Sequence, residues 1–157
     1  MKIKLLAIGK TDDKNLSQLI DIYQKRLRHY INFELVTIPD IKKAKNLSEN
    51  QQKDKEGELI LKELEITDQL VLLDEKGQEL RSVAFANFLQ KKMNAGHKQI
   101  VFVIGGPYGF SDTVYQKAMA KVSLSKMTFS HQMIRLFVVE QVYRAFTILK
   151  NEPYHHE

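Results

Sequence analysis

The chain of 157 residues has no cysteine at all. That excludes a disulfide framework, a thiolate nucleophile and a Cys-ligated metal, and it agrees with a reducing cytosol. Long apolar runs are also missing. None approaches the ~20 residues that a membrane-spanning helix needs. The opening MKIKLLAIGKTDD has an apolar run too short for a signal peptide, with no small-residue cleavage site after it, and reads as a first strand. A cytoplasmic protein that does not enter a membrane is the expectation. The five histidines, His29, His97, His131, His155 and His156, form no spaced ligand set, so no metal is expected. Two cofactor signatures are incomplete. Gly9–Thr11 (GKT) resembles the end of a P-loop, but the glycine required five positions earlier is Lys4. Gly105–Gly109 (GGPYG) is not a G-x-G-x-x-G fingerprint, Pro107 has no amide to donate, and the acidic residue expected ~20 positions on is absent. An NTPase is rejected, and a nicotinamide enzyme is not expected.

What is present is ordinary for one globular domain spanning 1–157: 43% hydrophobic and 27% charged residues. The net charge of +5 favours polyanionic partners. The excess is uneven. Residues 1–57 hold 12 Lys/Arg against 8 Asp/Glu, which leaves 12 against 11 for the rest. Lys25–His29 (KRLRH) is the candidate for phosphate contact, with a plain solvated face as the alternative.

Strand and helix signals alternate. Strands are expected at KIKLLAIG, FELVTIP (ended by Pro39), DQLVLLDEKG (with a turn at Lys76-Gly77), KQIVFVIGG and near 121–124. Helices are expected over about 13–31, 47–65, 83–93 (capped by Ser82, ended by Gly96), 112–120 (capped by Ser111) and 130–150. Gly57 inside the second helix marks a hinge or a close contact. The pattern predicts an α/β domain with a mostly parallel sheet and helices on both faces. The runs LVLL and IVFVI are continuous, as in central strands covered on both sides.

The last helix is apolar all round, at Met133, Ile134, Leu136, Phe137, Val138, Val139, Val142, Tyr143, Phe146 and Leu149. Such a helix is buried all round. One sheet face cannot cover it, so a homodimer through this helix is expected. Arg135 lies in its densest apolar arc and requires a specific partner, which favours a functional or interface role over a snorkelling side chain. Three strand-end loops, LLDEKG, IGGPYG and SLSKMTFSH, then fall on one edge of the sheet. Ligands in open α/β sheets bind beyond the carboxyl ends of the strands, so a small-molecule pocket is predicted there.

The run FVIGGPYGFS, the later SLSKMTFSHQMIRLFVVEQVYRA and the ending PYHHE resemble the ribosomal RNA large subunit methyltransferase H family, over essentially the whole chain. The resemblance implies a SPOUT-class fold with a C-terminal trefoil knot and a homodimer. It implies an enzyme that uses S-adenosylmethionine to methylate N3 of a pseudouridine in 23S ribosomal RNA within the ribosome. Carried over by position, the cofactor site falls on Leu73, Gly105, Leu124, Ser125, Lys126, Met127, Thr128 and Phe129, with Gly106 and Gly109 shaping the loop. Where the family has a serine pair before the third helix, this chain has Arg81-Ser82. For the chemistry, Tyr154 and His155 in the tail are candidates to take the N3 proton. Arg144 is a candidate to stabilise the developing anion or to hold a phosphate, unless it pairs with Glu140 at i,i+4. Two alternatives stay open: a SPOUT enzyme acting on transfer RNA, and a non-enzymatic RNA-binding module.

Overall fold

The computed structural model describes residues 1–156; Glu157, the last residue of the expected 1–157 unit, lies outside the described residues. Among the described residues, five strands and five α-helices alternate along the chain: β1 (Lys2–Ile8), α1 (Lys14–Leu27), β2 (Asn32–Ile38), α2 (Glu49–Lys62), β3 (Gln69–Glu79), α3 (Ser82–Asn94), β4 (Gln99–Ile104), α4 (Asp112–Lys117), β5 (Ala120–Ser123) and α5 (Met133–Leu149). The strands form one sheet in the order β2-β1-β4-β3-β5, and every pairing is parallel. The α/β reading and the mostly parallel sheet therefore hold.

The continuous apolar strands split their side chains between two cores. Leu5, Ala7, Val71, Ile100 and Phe102 face α1, α3 and α5. Leu6, Leu70, Leu72, Val101 and Val103 face α2 and α4, meeting Ile60 and Val114. Successive side chains on a strand point to opposite faces, so a strand covered on both sides must be apolar throughout. Helix starts are fixed locally. Asp13 accepts the amide of Leu16 at 2.9 Å, and Ser48 and Gln51 form a reciprocal capping box at the start of α2.

Four local expectations are corrected. Lys76-Gly77 is not a turn: β3 runs on to Glu79, with an irregularity after Leu73, and continues to pair with β5. Gly77 is there for closeness, since a Cβ would lie 2.7 Å from the backbone of Val122. Arg81, not Ser82, stands at the start of α3, and the Ser82 hydroxyl donates to Gln141 Oε1 at 3.1 Å. Ser111 holds the cap position of α4, but its hydroxyl bonds Thr113 Oγ1 at 3.0 Å and caps no amide. α4 ends at Lys117, because Ala120 already belongs to β5. Gly57 proves to be a close contact, its Cβ position lying 2.3 Å from Ser111 Oγ.

The cover of α5 also differs from expectation. It lies on the sheet between α1 and α3, which together bury Val138, Val139, Val142, Ala145 and Phe146 within the chain. What stays exposed is narrower, chiefly Met133 and Phe137 near its start. Arg135 is 1% exposed and neither snorkels nor awaits a partner subunit. Its Nη2 donates to the Ile8 carbonyl at 2.7 Å, Nη1 to Thr11 Oγ1 at 2.9 Å and Nε to the His131 carbonyl at 3.0 Å.

Candidate functional site

The buried run of β4 ends in three glycines because its backbone must turn back at once. Gly109, at φ +79°, returns its amide to the Gly106 carbonyl at 3.2 Å, and the two glycines form a short antiparallel bridge around Pro107 and Tyr108. Gly105 packs tightly, its Cβ position lying 3.0 Å from the Phe110 ring. Neither a left-handed residue nor such contacts suit a side chain.

Above this turn lies a cavity of about 390 Å³, within the ~300–1,000 Å³ usual for small-molecule sites. Its walls are the ends of three parallel strands: Leu73–Lys76 after β3, Gly105–Phe110 after β4, and Val122–Ser125 with Met127–Phe129 at and after β5, closed by His131 and Ile134. Of the residues expected at a cofactor site, Leu73, Gly105, Leu124, Ser125, Met127, Thr128 and Phe129 line it. Lys126 does not. Its ammonium group points outward, 3.9 Å from Glu79 on the surface.

The loop after β5 holds its own shape. Ser123 Oγ donates to the Ser125 carbonyl at 2.9 Å, and the Met127 amide donates to Ser125 Oγ at 2.9 Å. Among the described residues, no hydrogen bond engages the amides of Lys126, Thr128 or Phe129. The site thus offers apolar walls at Leu73 and Leu124 and backbone donors on a fixed loop. A flat heteroaromatic ring with polar edges suits that combination, and the adenine of S-adenosylmethionine fits it.

Asp74, Tyr115 and His131 also line the cavity and were not singled out from the sequence. Tyr115 donates to Asp74 Oδ2 at 2.5 Å, while Asp74 Oδ1 accepts the Lys76 amide at 2.8 Å. Burial first, then this carboxylate, pushes the Tyr115 phenol up to about 12. Asp74 stands within the quoted LLDEKG loop, so its place was visible; its partner comes from α4, which spacing along the chain does not connect to it.

The three candidate catalytic residues gather elsewhere. Glu140 Oε1 accepts Arg144 Nη2 at 2.6 Å, Arg144 Nε at 3.1 Å and the Tyr154 hydroxyl at 3.0 Å. The Arg144 guanidinium lies 4.7 Å from the centre of the Tyr154 ring, and its Nη1 is 3.5 Å from His155 Nδ1. Tyr23 of α1 joins through its hydroxyl, 3.3 Å from that of Tyr154. Burial and these hydrogen bonds to Tyr23 and Glu140 raise the Tyr154 phenol above its usual range. It is a neutral donor here. Arg144 pairs with Glu140, as the i,i+4 alternative allowed.

None of the three lines the cavity. Ile134, which does, precedes Arg144 by ten residues on α5, about 15 Å along a helix axis. One chain therefore keeps its cavity and its Arg144–Tyr154–His155 cluster at opposite ends of the same helix. Among the described residues no group of three or more potential ligands could hold a metal ion, and no helix is long and apolar enough to cross a membrane.

Comparison with known proteins gives this geometry a family. A family model described as "Predicted SPOUT methyltransferase" matches residues 1–155. The ribosomal RNA large subunit methyltransferase H of Flavobacterium johnsoniae is 69% identical over 157 residues, all of both chains. That of Parabacteroides distasonis is 64% identical, again over all of both. Among solved structures, a probable methylase family protein from Haemophilus influenzae Rd KW20 superposes with a TM-score of 0.51 at 13% identity, covering 95% of this chain and 66% of that one. This last likeness bears on the fold alone. The family match runs through the sheet and through all three strand-end loops, and the chain belongs to the SPOUT methyltransferase family.

Proposed function

We propose that this chain is a cytoplasmic, homodimeric enzyme that uses S-adenosylmethionine to methylate N3 of a pseudouridine in 23S ribosomal RNA on the assembled ribosome. Full-length relatives at 69% identity that carry the name of a ribosomal RNA methyltransferase support the substrate class. The observation that carries the cofactor is the strand-end cavity, with apolar walls and, among the described residues, unengaged amides at 126, 128 and 129. Under this reading the whole chain acts as one unit, and its C-terminal segment carries the trefoil knot typical of the family.

When bound, S-adenosylmethionine supplies an electrophilic methyl group on a sulfonium. The chain's own task is then mostly placement, since direct displacement requires alignment more than a protein nucleophile. Backbone amides at 126, 128 and 129 would read the adenine edge, Leu73 and Leu124 would cover its faces, and the Gly105–Gly109 turn would let the ligand approach the backbone. Lys126 contributes through its amide, not its ammonium.

The N3 proton of a pseudouridine leaves only well above neutral pH, so its departure needs help. Tyr154, held neutral, is better suited to donate a hydrogen bond than to take a proton. That leaves His155 as the preferred base. Arg144, oriented by Glu140, would stabilise negative charge on the base or hold a phosphate. Arg144, which holds this group together, lies about 15 Å along α5 from the cavity of its own chain. A two-fold pairing of two chains exchanges the ends of facing elements. Pairing over the exposed Met133–Phe137 face, next to the cavity, would bring the cluster of one copy to the cavity of the other.

The test is methyl transfer from labelled S-adenosylmethionine to unmodified ribosomes, naked ribosomal RNA and transfer RNA, with the product mapped by nucleoside mass spectrometry. Label at N3 of a pseudouridine, chiefly with ribosomes, is the expected result. Label on transfer RNA alone would keep the cavity and overturn the substrate. Cofactor binding without label on any RNA would favour a binding module.

A further inference from the structure

Glu56 sits in the middle of α2 and is 3% exposed, yet no cation pairs with it among the described residues. Oε1 accepts a hydrogen bond from Gln52 Nε2 at 2.9 Å, and Oε2 has no partner. A buried carboxyl with one idle oxygen is costly. Its position gives the reason. Both oxygens press on Gly106, where a Cβ would lie 2.2 Å from Oε2 and 2.6 Å from Oε1. The next residue is equally close to the far side of the turn, the Cβ position of Gly57 lying 2.3 Å from Ser111 Oγ. Glu56 and Gly57 thus seat α2 against this loop on both sides of the turn, at Gly106 before it and at Ser111 after it.

We propose that Glu56 is a positioning residue for methyl-donor binding: its carboxyl braces Gly106 from beneath and fixes the turn that floors the cofactor cavity. This rests on the reading of that cavity as the S-adenosylmethionine site.

Burial favours the neutral form of this brace. Burial raises the Glu56 pKa; the hydrogen bond from Gln52 and then His131, from the segment before α5, oppose the rise, and Asp40, after β2, adds to it. An ionised Glu56 would seek water, and the Gly106 backbone stands beside it. The turn then shifts as pH rises through the elevated pKa, and the cavity loses its fit.

The test follows the backbone amide resonances of Gly106 and Gly109 by NMR from acid to neutral pH, in the wild type and in Glu56→Gln, beside calorimetric titration with S-adenosylmethionine over the same range. The wild type should show a glycine transition with its midpoint above the usual carboxylate range and weaker cofactor binding across the same interval. Glu56→Gln, isosteric and always neutral, should lose both dependences, which also separates them from any titration of His131 or Asp40. A wild type whose glycines do not titrate overturns the proposal, even should the variant fail to fold. So does a transition that survives in Glu56→Gln, or a variant whose melting temperature alone changes. If the glycine transition depends on Glu56 but neither protein binds S-adenosylmethionine at any pH, the reading of the cavity fails and takes the proposal with it.

Discussion

Arg135 Nη2 donates to the carbonyl oxygen of Ile8 at 2.7 Å, a bond that spans 127 positions of sequence and ties the start of α5 to the end of β1. With its bonds to Thr11 and His131, the guanidinium satisfies polar groups from two loops at once. Burial lowers the Arg135 pKa, which Asp40 and Asp12 oppose, and the charge is held by dipoles rather than by a carboxylate contact. Hydrogen bonds to charged groups contribute ~1.5–3 kcal/mol each, and a partner left unpaired adds to the loss. Arg135→Ala should therefore destabilise by about 3 kcal/mol or more, lowering Tm by roughly 6–12 °C at the ~2–4 °C per kcal/mol expected for this size. Arg135→Lys, with no planar fork, should recover less than half. Thermal unfolding of both variants decides; a Tm within a degree of wild type for Arg135→Ala would show the clamp to be idle.

Two glycines should respond in different ways to alanine. At Gly77 a Cβ would meet the Val122 backbone at 2.7 Å, and neither strand can move aside, so Gly77→Ala should cost about 1–3 kcal/mol by overpacking. At Gly96 nothing lies within 4 Å, but φ is +76°, so Gly96→Ala should cost about 1–2 kcal/mol through backbone strain alone. Denaturant unfolding distinguishes the mechanisms. Gly96→Asn should restore much of the loss, since asparagine tolerates that conformation, whereas Gly77→Asn should be worse than alanine.

The misread turn at Gly77 shows what sequence reveals here and what it conceals. Strands and helices were legible because a short continuous apolar run such as Leu70–Leu73 marks a strand covered on both faces, and the 3.6-residue period is written into Leu16, Ile20 and Leu27. The strand-end pocket was legible because a glycine turn after a buried strand has few other uses. Lys76-Gly77 looked like a stop because its local chemistry is that of a turn; pairing with β5, decided some 45 residues later, overrides it. Arg135 visibly required a partner, but its acceptors are main-chain oxygens, and side-chain patterns carry no record of those. The Asp74–Tyr115 and Glu56–Gly106 contacts join elements at fixed distances only once the sheet order is set.

Three of the six tyrosines should ionise late. The hydrogen bond to Glu152 raises the Tyr30 phenol to about 12; burial and Asp74 raise Tyr115 to about 12; Tyr154 is raised as well. The folded pKa lies above the unfolded ~10, so the folded chain keeps protons that the unfolded chain has released. Their contribution to stability is complete below about pH 10 and is lost as pH rises towards 12. Ultraviolet titration should show about half the phenolate signal delayed, and Tyr115→Phe should remove a share of the delayed part. A single unshifted transition for all six would contradict the Asp74–Tyr115 and Glu152–Tyr30 bonds.

Saturation with S-adenosylmethionine should raise Tm. At 100 times Kd a ligand adds ~2.7 kcal/mol, or roughly 5–10 °C for a chain of this size. Lys126→Ala should leave both the apo Tm and the shift within about a degree, since an exposed ion pair contributes ~0–1 kcal/mol and the side chain points away from the cavity. Leu124→Ala should reduce the shift by removing a wall. Loss of binding in Lys126→Ala would mean that the ammonium group turns inward to meet the ligand.

Glu140 Oε1 accepts from both Arg144 and Tyr154 and so holds them together, and its side chain is 15% exposed. Glu140→Gln keeps the shape but removes the charge, so the guanidinium and the tail lose their common anchor. Because the cluster lies away from the cavity of its own chain, cofactor affinity should stay within about twofold. Misplacement of catalytic groups by an ångström costs on the order of 10²-fold, so turnover on ribosomes should fall by about that factor. Single-turnover methyl transfer beside calorimetric titration separates the two quantities. A fall in rate with unchanged affinity places the Arg144–Tyr154–His155 group in the chemical step. Equal losses in both would instead make Glu140 a support for the fold of the cavity, and unchanged rates would remove the cluster from the mechanism.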